Sequence, residues 1–417
     1  MPARAASVEA STGLRPLEKE SRQIEIALLT GCQDRPYAFG LAMALAEKEV
    51  NVDIIGGDEV DTPDFHTTGR LRFCNLGGPI RKPAGVTRKL RRLAGYYVRL
   101  IRYAAAPQPG IFHILWNNKF ELFDRTLLMA YYKMRGKKIA MTAHNVNQAR
   151  RDSHDSTLNR FTLRIQYQLA DHIFVHTRKM KSELVDEFGV SDRAVTIIRH
   201  PLNNAFPDTP LTPAEAKLRL GLSPQHKAIL FFGRITPYKG LEQLLAAFEG
   251  LVAREPDFRL IIAGQPKGGS EEYVAQIKQR IASNFCTGAI VAKLQFIPDS
   301  ETEVYLKAAD VLVLPYKDIF QSGVLFLGYS YGLPVIATDV GSFREEIAEG
   351  QTGFLCKPDD PAALAEVIER YFASDLYHNL NRRRQEIRDH TQANHSWSGV
   401  AELTRNAYAE LLDGYQA

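Results

Sequence analysis

Residues 229–248 read ILFFGRITPYKGLEQLLAAF. The unbroken apolar run ILFF fits a strand buried on both faces, and Gly233 and Arg234 end it. A Pro/Tyr turn follows, and Lys239-Gly240 opens a helix whose Leu244, Leu245 and Phe248 face a core. The same strand–turn–helix unit recurs along most of the chain. Apolar runs at 24–30, 52–56, 111–115, 138–143, 172–176 and 194–199 precede it, and runs at 258–263, 290–296, 310–315 and 334–338 follow. Continuous Val/Ile/Leu runs separated by helical patterns predict parallel sheets covered by helices, a doubly wound α/β architecture.

A chain of 417 residues is too long for one ordinary core, which favours two domains. The seam is the Pro/Asn-rich stretch RHPLNNAFPDTPLTPAEAKLRLGLSPQHK, residues 199–227, where Thr212, Pro213 and Glu215 spell a capping box. The expected division is a flexible tail at 1–21, a Rossmann-like unit at 22–203, a second at 204–390, and a terminal helix at 391–417. Ligands of such sheets lie beyond the carboxyl ends of the strands, so two units facing each other imply a shared cleft.

The composition excludes several classes. With 52 basic against 48 acidic residues, a net charge of +4 provides no global field for nucleic acid. The first residues lack the apolar core of a signal peptide, and no apolar run reaches the ~18 residues of a membrane span, so the expectation is a cytoplasmic protein. Cys32, Cys74, Cys286 and Cys356 are scattered without Cys-x-x-Cys or Cys/His spacing, which predicts buried thiols and neither disulfide framework nor metal site. There is no Asp-x-Asp, His-Glu-x-x-His, P-loop or early Gly-x-Gly-x-x-Gly.

Four stretches carry candidate chemistry. Arg234 and Lys239 flank a strand end and a helix start, where they can neutralise a diphosphate or simply be solvated cations at a corner. His144, in KIAMTAHNVNQARRD, follows a buried strand on the ligand side of its sheet, whereas His113, His172, His176 and His200 read as structural histidines. Gln321-Ser322-Gly323 opens a nearly charge-free helix expected at 324–331, beside Asp339-Val340-Gly341 and Arg344-Glu345-Glu346 at the next strand end. Those two strand ends can wrap one ligand, or the first can be a tight corner. Residues 86–103 place Val86, Leu90, Leu93, Tyr97, Leu100 and Ile101 on one helical stripe. Arg88, Lys89, Arg91, Arg92, Arg99 and Arg102 crowd the other faces, with Arg81 and Lys82 just before. That pattern suits either an anionic membrane surface or a solvated cationic back.

Together these stretches resemble the two-domain GT-B glycosyltransferases of family 4, from about Ile24 to the C-terminus. FFGRITPYKG is similar to the family's donor-diphosphate motif, and GLPVIATDVGSFREEI and TGFL to its later donor segment. TAHN is similar to the strand end bearing the active-site histidine, and HSWSGVAELTRNAYAELL to a last helix that crosses back onto the first domain. The resemblance implies a donor-binding set of Gly233, Arg234, Lys239, Gln321, Ser322, Gly323, Val324 and Glu345, with His144 in the transfer site. The chain departs from the family at its two usual glutamates, whose places hold Ile319 and Leu327; Asp318 is one residue from the first. What remains there is a backbone cradle.

The expected activity is metal-independent transfer of a sugar from a nucleotide diphospho-sugar to a glycolipid or polysaccharide, with no cofactor. Retention would let the leaving phosphate take the acceptor proton; inversion would call on Asp34 or His144 as base. A nucleotide-sugar epimerase on the same fold and a catalytically degenerate sugar-nucleotide-binding protein are the alternatives. Arg88, Lys89, Arg91 and Arg92 form the expected membrane or acceptor contact.

Overall fold

The structure is a computed structural model that describes residues 23–78, 86–151, 155–202, 207–283 and 288–414. The division expected at 203/204, the tail at 1–21, and Arg81, Lys82 and Cys286 lie outside these residues. The strands of the first half are β1 (Glu25–Leu29), β2 (Asn51–Gly56), β3 (Leu71–Asn75), β4 (Ile111–Ile114), β5 (Lys138–Thr142), β6 (His172–Val175) and β7 (Val195–Ile197). They pair in parallel in the order β3-β2-β1-β4-β5-β6-β7. The second half holds β8 (Lys227–Phe232), β9 (Phe258–Ala263), β10 (Ile290–Lys293), β11 (Val311–Leu314), β12 (Val335–Thr338) and β13 (Gly353–Cys356). Their order is β10-β9-β8-β11-β12-β13, again all parallel. The architecture is the doubly wound α/β, two-sheet GT-B arrangement expected from the sequence.

Strand period decides where the first core sits. Ala27 and Leu29 of β1 join Phe112, Ile139 and Val175 on one face of the sheet, while Ile26 and Leu28 join Ile111, Ala140 and Phe174 on the other. Burying each large side chain contributes about 1.5–3 kcal/mol, so both faces must be covered. Part of that cover comes from the end of the chain. Helix Trp397–Asp413 lies against helix Arg35–Glu47, with Val400, Ala401, Ala407 and Tyr408 in the second of these clusters. Gly40 makes the approach possible, since a Cβ there would fall 2.2 Å from the Trp397 ring.

Two strands were missed from sequence, and both are edges. In β3, LRFCN, only Leu71 is buried, so no continuous apolar run announces it. The segment TGFL, which resembles donor-site sequence, enters edge strand β13 at its glycine, and a Cβ on Gly353 would lie 1.8 Å from the Val335 carbonyl oxygen. The cysteine expectation also needs correction. Cys356 is buried, but Cys32 and Cys74 are half-buried.

Candidate functional site

Sheet order reverses between β1 and β4 in the first half and between β8 and β11 in the second, and ligand crevices open at such points. At the second of them β8 runs into Gly233, whose backbone has φ 104°. A Cβ on Gly233 would sit 3.2 Å from both the Lys239 Nζ and the Val324 Cγ2. Lys239 is buried, with its ammonium 5.3 Å from the Tyr316 ring centre just past β11. The Tyr316 hydroxyl lies 3.5 Å from the Ser322 Oγ. The fold therefore gathers Gly233, Lys239, Ser322 and Val324. Arg234 is exposed beside them and has no ion-pair partner among the described residues. Gly240, at φ 65°, lets the Lys239 turn abut β11, because a Cβ there would be 2.0 Å from the Pro315 carbonyl oxygen.

This corner contains unmet hydrogen-bonding capacity. The Thr236 Oγ1, Gln321 Nε2 and Ser342 Oγ are buried without a hydrogen-bond partner among the described residues. The helix starts at Gly323, one residue before its expected start, and runs to Ser330; Ser322 at its N-cap makes no side-chain cap. Its Gly323 and Val324 N–H groups and positive dipole end are open to an anion, while the Leu325 N–H donates to the Ser322 carbonyl oxygen at 3.1 Å. Gly323 itself has room for a Cβ, so the glycine is not sterically required.

The places of the missing glutamates explain themselves. Ile319 and Leu327 are buried in the second core, pointing away from solvent. Phe320, between Ile319 and Gln321, instead joins the first half's cluster with Ala143 and Val146, under the Lys179 ammonium at 5.9 Å. Asp318 is exposed.

Across the cleft, His144 follows β5 and is enclosed by aromatic groups. The Trp116 ring stacks on it at 4.2 Å and 7°, and the Tyr37 ring meets it edge-on at 4.7 Å. The His144 Nδ1 is 3.2 Å from the His176 Nε2, and the His176 Nδ1 is 3.1 Å from the Ile198 carbonyl oxygen. Burial, then the neighbouring His176, His200 and His113, hold the His144 imidazole well below its usual pKa; burial takes His176 down to about 4. The His144 Nε2 and Trp116 Nε1 are buried without hydrogen-bond partners among the described residues. Asp34 serves as N-cap of helix Arg35–Glu47, its Oδ1 accepting from the Tyr37 N–H at 3.3 Å. Gly31, Cys32 and Asp34 all have left-handed backbone, a concentration of strain typical of functional loops.

Glu345 is exposed and lines an interdomain cavity of about 930 Å³ with Arg178, Arg199 and Asn394. Its neighbour Glu346 pairs with the His395 Nε2 at 3.2 Å. Helix Val86–Ala105 departs from its expected stripe: Tyr97 and Leu100 are buried, but Leu90 is 57% exposed. Arg88, Lys89 and Arg91 are exposed without ion-pair partners among the described residues, whereas Arg92 lies 3.8 Å from Glu59. Residues 328–332, GYSYG, have the literal spacing of a hydrolase nucleophile turn, but Ser330 ends a helix and donates to the Leu327 carbonyl at 2.8 Å. Among the described residues no three His, Cys, Asp or Glu side chains gather as metal ligands. Trp116 and His176 were not legible as site residues, since only the adjacency of the β4, β5 and β6 ends brings them to His144.

Two family models match the chain, Glycosyltransferase Family 4 over residues 36–205 and Glycosyl transferases group 1 over residues 214–389. It is similar to the D-inositol 3-phosphate glycosyltransferase of Corynebacterium efficiens, 26% identical over 64% of this chain and 62% of that protein. The enzyme of that name from Corynebacterium diphtheriae is 27% identical over 64% of this chain and 63% of its own length. These matches span less than two thirds of either relative. Among solved structures, a sucrose-phosphate synthase from Thermosynechococcus elongatus superposes with TM-score 0.72 at 20% identity, covering 94% of this chain and 100% of the other. Anabaena Alr3699/HepE, solved in complex with UDP, gives TM-score 0.71 at 14% identity over 93% and 100%. At such identities these two speak to the fold.

Proposed function

Because the chain belongs to the GT-B glycosyltransferases of the family 4 type, we propose that it transfers a sugar from a nucleotide diphospho-sugar, with the diphosphate seated between Lys239 and the start of helix Gly323–Ser330. The observation that carries this reading is the buried Lys239 ammonium beside unpartnered Thr236, Gln321 and Ser342 atoms at the second sheet's switch point. Negative charge builds on the diphosphate as the glycosidic bond breaks. In this reading Lys239, Arg234 and helix-start N–H groups stabilise it, and the proposed reaction needs no metal ion. Arg234, being exposed, can fold over the phosphates as a planar donor.

Among the described residues, the rings of Tyr37, Trp116 and His176 pack on His144. We therefore favour retention, the leaving phosphate taking the acceptor proton, over a base at Asp34 whose Oδ1 already caps a helix. The acceptor is a glycolipid or growing saccharide of a cell-surface polysaccharide. Support for a lipid-borne acceptor is the protruding start of helix Val86–Ala105, where exposed Leu90 lies among exposed Arg88, Lys89 and Arg91, a combination suited to a cytoplasmic anionic membrane face. Among the described residues no helix is long and apolar enough to cross a membrane. A thermal-shift screen of nucleotide sugars and nucleoside diphosphates tests the donor assignment. Stabilisation by one nucleotide series, lost in Lys239→Met, is the expected result, and no shift with any nucleotide contradicts it.

A further inference from the structure

Hydrogen positions around His144 follow from what each partner can do. A carbonyl oxygen only accepts, so the His176 Nδ1, 3.1 Å from the Ile198 oxygen, carries the proton. Fully buried, His176 is neutral at ordinary pH, and a neutral imidazole has one N–H; its Nε2 is therefore a bare acceptor. The His144 Nδ1, 3.2 Å away, must then be the donor in that contact. His144 is neutral for the same reason, which leaves its Nε2 with a lone pair and no proton. That atom is buried and unpartnered among the described residues.

The indole beside it has the opposite capacity. The Trp116 Nε1–H can only donate, and it too is buried and unpartnered. Stacking at 4.2 Å and 7° holds the bare acceptor and the bare donor on parallel rings at the ends of adjacent strands β4 and β5. A hydroxyl, which both donates and accepts, satisfies such a pair. A phosphate or carboxylate oxygen does not, because it would face the imidazole lone pair. Buried polar atoms are nearly always bonded, so open ones on two stacked rings point to a ligand.

We propose that Trp116 recognises a substrate hydroxyl together with His144, and that His176 is a positioning residue which, through the Ile198 carbonyl, fixes His144 as a hydrogen-bond acceptor. The ligand class is a neutral polyol, a sugar hydroxyl of donor or acceptor; this rests on the reading of the cleft as a sugar-transfer site.

The relay is tested without substrate by histidine ¹⁵N NMR of the full chain, with signals assigned through His144→Gln and His176→Gln. Protonated Nδ1 and unprotonated Nε2 are expected at both residues, and an Nε2–H signal at either overturns the relay. Kinetics test the recognition, using the nucleotide sugar that most stabilises the protein. Trp116→Phe keeps a stacked ring without its donor and is expected to lower kcat/KM about fivefold or more, as loss of one hydrogen bond does, with nucleoside diphosphate affinity unchanged. His176→Gln, which keeps an acceptor, is expected to retain most activity and His176→Leu to lose it at equal thermal stability. Unchanged kcat/KM in Trp116→Phe, or equal loss in both His176 variants, overturns the proposal. Failure of the transfer reading is seen separately, as a wild-type protein that turns over no nucleotide sugar while the tautomers are as stated.

Discussion

Replacing Lys239 by Met separates charge from packing at the proposed diphosphate seat. Its ammonium lies 5.3 Å from the Tyr316 ring centre and within 3.2 Å of where a Cβ on Gly233 would be, so the side chain fills the floor of the corner. Methionine preserves most of that volume, and volume-conserving exchanges usually cost less than about 1.5 kcal/mol. The ammonium's own contacts inside the protein are lost with it, so affinities are compared at a temperature where both proteins are folded. A charge-assisted hydrogen bond to phosphate is worth about 1.5–3 kcal/mol, and each ~1.4 kcal/mol is tenfold in affinity. Calorimetry with the best nucleoside diphosphate from the screen should show binding weakened about 10- to 100-fold in Lys239→Met. Arg254→Met, at the far end of the helix that Lys239 precedes and paired with Glu369, is the control and should bind as wild type. Wild-type affinity in Lys239→Met, or an equal loss in the control, would refute the assignment.

Other consequences follow from backbone, burial and charge. Gly240→Ala places a Cβ 2.0 Å from the Pro315 oxygen at φ 65°, so denaturation should show a loss above about 1–3 kcal/mol together with loss of nucleotide binding. His113 and His200 are held down to about 3 by burial, against about 6.5 when unfolded. Because the unfolded chain takes up those protons first, stability should fall as pH drops below about 6.5, by about 1.4 kcal/mol per pH unit for each group. Urea titrations at pH 6 and 5 check this, and His113→Gln should flatten the slope. Neutralising Arg88, Lys89, Arg91 and Arg92 together should abolish flotation with anionic vesicles at unchanged melting temperature; undiminished flotation would remove the membrane contact.

The fold was readable where strands are buried on both faces. β11, β12 and the ILFF of β8 are unbroken apolar runs because neighbours cover them on every side, whereas edge strand β3 buries only Leu71 and edge strand β13, though largely buried, is the four residues GFLC, too short and too mixed to make such a run. Helix Val86–Ala105 misled in the other direction. Its apolar stripe continues through Leu90, but the helix start protrudes, so periodicity outlasted packing. His144 and Lys239 were legible because strand ends and helix starts are local features. Trp116 and His176 were not, because their meaning depends on which strands become neighbours. The apolar Ile319 and Leu327 stand where the family usually has glutamates, and the structure buries both in the core.

The central claim concerns where the phosphates bind. A crystal structure of the protein with its tightest nucleoside diphosphate tests it most directly. The account predicts phosphate oxygens within hydrogen-bond distance of the Lys239 Nζ and the Gly323 and Val324 N–H groups. Phosphates found instead in the cavity between Arg178 and Arg199, with the Lys239 corner unchanged, would contradict it.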